Sequence, residues 1–399
     1  VAHSFPTRRS SDLAHLALHT TPASVREHQP LVNRRGDIVL TADARVDNRD
    51  ELIRTLTSKG YLEEKHPTDA DLIMAAYECW GEDCPKYIIG DFAFAVWDGL
   101  LRQLLAVRDR TGSRPLYYRF ENSVFQWSTE SKQLLVDPNS RIRLDDTMVA
   151  RDLALTGYGG QHRSYYQGIS KLARAERLTT KVNGPEISSY WAFDPDFTLR
   201  YASNDEYAEH FNDLLRQAIR DRLRSTQPVC LFLSGGLDST AIAALASTEL
   251  RHSGKGLAHF QTVSWTFEAT PEANECTRSR AVAKQVGFPY EEIVADSFES
   301  ALKHPSKAID RDDAYVSTWQ GLFAGTLERL SESRPNVLMT GIDGDSLIGG
   351  NNPLQYWELF RKGRIAAAVR KFQSHRRLYN LPLKLSLFDF LISPLLLQP

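Results

Sequence analysis

The apolar run Val229–Leu233 passes directly into Ser234-Gly235-Gly236-Leu237-Asp238-Ser239, and an alanine-rich helical pattern follows at once. A short continuous apolar run closed by glycines reads as a buried strand, and the 3.6-residue period after it reads as a helix. This segment commits its part of the chain to a strand–turn–helix unit. From "NDEYAEHFNDLLRQAIRDRL" (204–223) onward, helical patterns alternate with the short apolar strands "VCLFL" (229–233), "FQTVSWTF" (260–267), "EEIVA" (291–295) and "NVLMTG" (336–341). That alternation predicts a parallel, doubly wound α/β sheet.

The turn itself has a chemistry. The first N–H groups of a helix have no intrahelical partner, and the helix dipole adds partial positive charge there. Gly235 and Gly236 let backbone approach an anion with no Cβ between, and Ser234 and Ser239 add hydroxyl donors. A phosphate is the natural occupant, with a tight βα turn whose glycines serve only packing as the competing reading. Neither G-x-x-x-x-G-K-[ST] nor G-x-G-x-x-G is present, and the loop carries no lysine. Asp238 would repel a bare phosphate, but fits if Mg²⁺ bridges it to phosphate oxygens. A second carboxylate is then expected, and "TGIDGDSLIGG" (340–350) supplies Asp343 and Asp345 at the end of another strand, on the same rim of the sheet. Its spacing fails as an EF-hand, since Leu347 occupies the fifth position and no Glu closes the loop. A glycine-rich surface loop is the alternative there.

The first half reads differently. "DIVLTADARV" (37–46), "DFAFAVWD" (91–98) and "QLLAVRD" (103–109) are strand-like, and "PLYYRFENSVFQWST" (115–129) is a hairpin expected to turn at Glu121-Asn122. Two helices, 47–60 and 68–81, carry caps at Asp47 or Asn48 and at Thr68 or Asp69, with Gly60 and Gly81 as stops. This is an α+β layout of stacked antiparallel sheets, and "GPEISSYWAFDPDF" (184–197) reads as the connection to the α/β half.

At 399 residues and a formal net charge of −2, the chain suits two domains and offers no basic surface for nucleic acid. No stretch reads as a membrane span. The apolar 378–399 is broken by Pro382, Lys384, Asp389 and Pro394, and reads as a buried helical segment. Cys79, Cys84, Cys230 and Cys276 show no zinc spacing and read as reduced thiols, which points to the cytoplasm. Residues 1–12, "VAHSFPTRRSSD", fit nothing downstream, lack a signal-peptide core, and read as a foreign lead.

"SGGLDST" after a buried strand resembles the pyrophosphate loop of the asparagine synthetase family, whose enzymes cleave ATP to AMP and pyrophosphate. "TGIDGDSLIGG" looks like that family's second motif. "DARVDNRDEL", "TDADLIMAAYECWG", "IGDFAFAVWD", "VRDRTGSRPLYY" and "STESKQLL" fall in the order of its N-terminal glutamine amidotransferase domain. The resemblance implies an Ntn-hydrolase-like αββα sandwich over 13–200, then a PP-loop ATP-pyrophosphatase domain over 204–399, which reads as truncated at its C-terminus. It implies that Ser234, Gly235, Gly236, Asp238 and Ser239 hold pyrophosphate and Mg²⁺, that Asp345 is the second metal carboxylate, and that Leu233, Trp265, Thr340 and Gly341 line ATP. One of Asp310, Asp312 or Asp313 falls where the family keeps a carboxylate near the acyl-adenylate, Asp313 being the residue chosen here; a solvated helix cap is the other reading of that run.

The departures from the pattern concern glutamine. The family's N-terminal catalytic cysteine has no counterpart, residue 1 being Val. Its oxyanion-stabilising Asn-Gly pair aligns with Asp43-Ala44, where a carboxylate would repel developing negative charge. Its early arginine is missing from "LAHLALHTT". Asp69 alone matches, at the position that grips the amine of glutamine, so the domain is expected not to hydrolyse glutamine. The expected activity is ATP-dependent amide formation of the asparagine synthase type, on a small-molecule or peptide carboxylate. A lasso-peptide macrolactam cyclase or β-lactam synthetase-like enzyme using a substrate amine, and an inactive nucleotide-binding remnant, stay open. So does the company it keeps, whether a homodimer or a precursor-peptide-binding partner.

Overall fold

The structure is a computed structural model. It describes residues 2–6, 12–121, 124–136, 142–154, 160–181, 184–194, 196–254, 256–296, 318–330, 335–342, 344, 359 and 361–378. Residues 1–339 and 340–399 form two compact units.

The first unit opens with a hairpin of β1 (Ala2–Pro6) and β2 (Asp12–Leu16). Next come β3 (Leu31–Val32), β4 (Ile38–Val46), α1 (Arg49–Ser58), α2 (Asp69–Trp80), β5 (Gly90–Asp98) and β6 (Gln103–Arg108). After these lie β7 (Tyr117–Glu121), β8 (Val124–Ser128), α3 (Asp146–Leu153), β9 (Ser170–Lys171), β10 (Glu176–Lys181) and β11 (Gly184–Ser189). An antiparallel sheet runs β11-β10-β6-β5-β4-β3, and a smaller one runs β8-β7-β9.

The period of two along β5 decides the layering. Phe92, Phe94 and Val96 join Leu40 and Val46 of β4, Leu52 and Leu56 of α1, and Leu72 and Ile73 of α2 in one buried cluster. Ala93, Ala95 and Trp97 face the other way, against Leu116, Tyr118, Phe125 and Trp127 of the smaller sheet. Helices, large sheet and small sheet therefore stack as expected for the αββα sandwich, and α3 is the remaining helix of this half.

The local signals explain the helix ends. Thr68 caps α2 in a capping box: the Asp71 N–H donates to Thr68 Oγ1 at 3.1 Å, and the Thr68 N–H donates to Asp71 Oδ2 at 2.8 Å. Gly81 ends it with φ of 56°. Asn48 stands at the N-cap of α1. The β7–β8 hairpin differs by one residue from expectation. Glu121 pairs with Val124, so the connection is 122–123, outside the described residues.

The α/β half contains α4 (Asn204–Arg222), β12 (Val229–Phe232), α5 (Leu237–Ser253), β13 (Phe260–Thr266), α6 (Cys276–Val286), β14 (Tyr290–Val294), α7 (Thr318–Arg329) and β15 (Val337–Met339). The sheet order is β14-β13-β12-β15, every neighbouring pair parallel. Val229, Leu231 and Leu233 pack with Ile219 of α4, Ala243 and Leu250 of α5 and Ala283 of α6. Cys230 and Phe232 face Val263, Trp265 and Leu330 on the opposite side. Strands buried on both faces explain the unbroken apolar run at 229–233, and this is the doubly wound parallel sheet expected from the alternation.

In the second unit α8 (Ile365–Leu378) is the principal described element. The apolar 379–399 segment lies outside the described residues. No helix among the described residues is long and apolar enough to cross a membrane. The four cysteines are free thiols; Cys84 and Cys230 are buried, and burial pushes the Cys230 thiol up to about 12.

Candidate functional site

The loop after β12 is built around a left-handed residue. Gly235 has φ of 78°, a region where L side chains are strained, and an added Cβ would stand 2.7 Å from Arg278 Cβ and 2.9 Å from the Ser279 backbone nitrogen. The first turn of α6 thus packs directly on the loop. Gly236 is the N-cap of α5 and offers no side chain to its first turn. The first intrahelical bond runs from the Thr240 N–H to the Gly236 carbonyl at 3.1 Å, so the N–H groups of Leu237, Asp238 and Ser239 precede it. That is an uncapped helix N-terminus at the carboxyl end of a parallel strand.

Two serines hold the loop's shape. The Ser234 N–H donates to Ser239 Oγ at 3.2 Å, and the Gly236 N–H donates to Ser234 Oγ at 3.2 Å. The two hydroxyls lie 3.1 Å apart. Ser239 is buried and Ser234 exposed, so Ser239 staples the turn from inside while Ser234 stands on the open side. Asp238, in the first turn of α5 and half-buried, forms no hydrogen bond or ion pair among the described residues.

The residues expected to line a nucleotide are placed differently from one another. The Leu233 side chain is 1% exposed in the core, so it offers a ligand only backbone, and its carbonyl already accepts from Ser264 Oγ. Trp265 packs against Phe232 at 4.6 Å and Phe323 at 5.6 Å between ring centroids, and its indole N–H donates to Thr326 Oγ1 at 2.8 Å. Its N–H is committed to the fold. Thr340 and Gly341 belong to the second unit, where the Gly341 carbonyl accepts from the Gly344 N–H at 3.3 Å. Asp310, Asp312, Asp313, Asp343 and Asp345 lie outside the described residues. Among the described residues no group of three or more His, Cys, Asp or Glu gathers as a metal site.

The position expected to grip the amine of glutamine is ion-paired within the protein. Asp69 is 3% exposed and ion-paired to Arg49 of α1 and to Arg224, at 3.1 Å, just past the end of α4. Arg224 also donates to the Val46 carbonyl at 2.8 Å. Beside it, Arg222 pairs with Asp91 at 2.8 Å and Asp47 at 3.3 Å, and buried Arg45 donates to the Asp221 carbonyl. Burial, with Arg224 and Arg222 nearby, lowers Arg45 to about 10, still protonated at neutral pH. Asp43 faces Arg114 at 3.6 Å. A carboxylate already holding two guanidinium groups has little left for a substrate ammonium. Sequence reasoning missed Arg49, Arg222 and Arg224; the visible signal was the basic run Arg220-x-Arg222-x-Arg224 ending a helix.

Comparison with known proteins agrees with this two-part layout. Residues 3–191 match the model of a glutamine amidotransferase domain, and residues 210–390 match that of asparagine synthase. The chain belongs to the asparagine synthetase family. It is 33% identical over 218 residues to asparagine synthetase [glutamine-hydrolyzing] 3 of Bacillus subtilis, covering 55% of this chain and 35% of that protein. It is 27% identical over 365 residues to a putative asparagine synthetase [glutamine-hydrolyzing] 2 of Methanocaldococcus jannaschii, covering 86% and 67%. The chain thus spans between one third and two thirds of these family members. Among solved structures, glutamine phosphoribosylpyrophosphate amidotransferase from B. subtilis superposes with a TM-score of 0.28 at 12% identity, covering 66% of this chain and 48% of that one.

Two outcomes follow from this geometry. Gly235→Ala should cost about 2–5 kcal/mol, combining a left-handed alanine with a Cβ driven into α6, read as a lowered denaturation midpoint. Asp69→Ala should cost on the order of 3 kcal/mol, because it strands two arginines at a largely buried site. The exposed Arg34–Glu63 pair is the control, since Glu63→Ala should leave the midpoint where it is.

Proposed function

We propose that this chain is an ATP-dependent amide-forming ligase that activates a carboxylate as an acyl-adenylate. The observation that supports the reading most directly is the loop 234–239: a left-handed glycine and an uncapped helix N-terminus at the end of a parallel strand, with an aspartate in the first helical turn that has no partner among the described residues. Such a loop suits pyrophosphate as it departs from ATP. A carboxylate oxygen attacks the α-phosphorus, the bond to the pyrophosphate oxygen breaks, and acyl-AMP forms. An amine then attacks the acyl carbon, loses a proton, and AMP leaves with the C–O electron pair.

The donor set fits a hard divalent cation. Asp238 is a carboxylate without a partner among the described residues, beside the first-turn N–H groups of α5, and Asp345 is the residue proposed to complete the pair. Mg²⁺ bound there would supply charge neutralisation for the pyrophosphate. The loop's own task is positioning: Gly235 and Gly236 bring backbone N–H groups close, Ser239 fixes the turn, and Ser234 offers a hydroxyl. ATP use and free thiols suit the cytoplasm.

The source of the amine separates the readings. The Arg49–Asp69–Arg224 cluster and the carboxylate of Asp43 favour an amine carried by the substrate over ammonia released from glutamine by this chain. That favours the cyclase-like or β-lactam synthetase-like alternative within the same chemistry, with a small-molecule or peptide carboxylate as acyl donor.

Exchange of labelled pyrophosphate into ATP, with aspartate or a peptide acid as acyl donor, tests the reading. Wild type should exchange with one of them, and Asp238→Asn should lose at least about a hundredfold in rate; undiminished exchange in that variant would falsify the metal role. Incubation with glutamine should release no glutamate. Release at a steady enzymatic rate would overturn the reading of Asp43 and Asp69.

A further inference from the structure

The loop lacks one thing that a departing pyrophosphate requires. Residues 234–240 contain an aspartate and neither lysine nor arginine, while the leaving group carries several negative charges. The N–H groups of α5 offer only partial charge. A divalent cation would offset part of that charge; any full positive charge from the protein itself has to come from a neighbouring element, and α6 packs directly on the loop.

Arg278 stands at that contact. Its Cβ is 2.7 Å from where a side chain on Gly235 would begin, so its pivot sits on the loop's edge. Its side chain is three-quarters exposed, and its interaction among the described residues is an ion pair with Glu275 at 3.9 Å, beyond hydrogen-bond range. The other arginine in this part of α6 is committed elsewhere: Arg280 donates to Glu292 at 3.1 Å through Nε. Arg251, at the end of α5, donates to the Val286 carbonyl at 3.0 Å. Arg278 alone in this group is held loosely, and swinging its head costs one exposed ion pair of little worth.

We propose that Arg278 is a pyrophosphate-binding residue, supplied by α6 to the Ser234–Ser239 loop. A guanidinium presents a planar fork that matches two phosphate oxygens, and it stays charged at any working pH. This explains why α6 must approach so closely that residue 235 can carry no side chain: the approach delivers the cation. The proposal rests on the reading of the loop as a pyrophosphate site.

Isothermal titration calorimetry of the full chain with magnesium pyrophosphate, and separately with AMP, tests it. Arg278→Ala should weaken pyrophosphate roughly ten- to a hundredfold, the loss of a charge-assisted bond, and leave AMP affinity unchanged. Arg278→Lys should recover part of the loss, because charge returns without the fork. Equal pyrophosphate affinity in wild type and Arg278→Ala overturns the proposal and leaves the loop reading standing. Parallel losses for pyrophosphate and AMP also overturn it, by making Arg278 structural. Failure of wild type to bind magnesium pyrophosphate overturns the loop reading and this proposal together.

Discussion

The contact between Gly235 and the first turn of α6 is the constraint around which the α/β half is arranged. It fixes a left-handed residue where β12 must turn sharply into α5, and it leaves no volume for a side chain. The sheet can therefore keep its buried apolar strands while the loop at its rim stays open and polar. Ser239 closes the turn from beneath, so the hydrogen-bonding capacity left over is the backbone of α5's first turn and the Ser234 hydroxyl. Packing and chemistry share the same atoms here.

The two halves treat charge in opposite ways. In the α/β half, Asp238 has no hydrogen-bond or ion-pair partner among the described residues and stands beside the first-turn N–H groups of α5. In the N-terminal half, Asp69 is saturated by Arg49 and Arg224 and shut away from water. The first arrangement leaves polar groups open at the rim of the sheet. In the second, the protein's own side chains supply the occupants.

Which parts of this were legible in the sequence follows from how local each signal is. The Ser-Gly-Gly-Leu-Asp-Ser turn could be placed because strand, glycines and helix are contiguous. The capping box at Thr68 and Asp71 was half-readable for the same reason: the cap was narrowed to two residues and the structure chose Thr68. The strand character of β5 was legible, but which of its faces meets the helices and which the smaller sheet came from the structure. What could not be read was pairing across the chain. Asp69 and Arg224 lie 155 positions apart, and nothing near either residue announces the other. Trp265 is a second case of pairing across the chain. The sequence places it correctly at the end of β13, but its engagement with Phe232, Phe323 and Thr326 depends on α7, some sixty residues later.

The end of α4 ties these observations together. Arg220 reaches α5 through Glu249 at 2.8 Å, Arg222 reaches Asp91 at the start of β5, and Arg224 reaches Asp69 at the start of α2. Cations there also suit the negative end of the helix dipole. Ile219 and Leu223 pack in the same cluster as Ala243 and Leu250 of α5. One helix end thus grips Asp69 and Asp91 of the N-terminal half on one side and the helix behind the loop on the other. On this geometry the N-terminal half anchors α4, and α4 backs the helix whose first turn follows the Ser234–Ser239 loop. Asp69 then has a structural role, as the shared partner of Arg49 and Arg224.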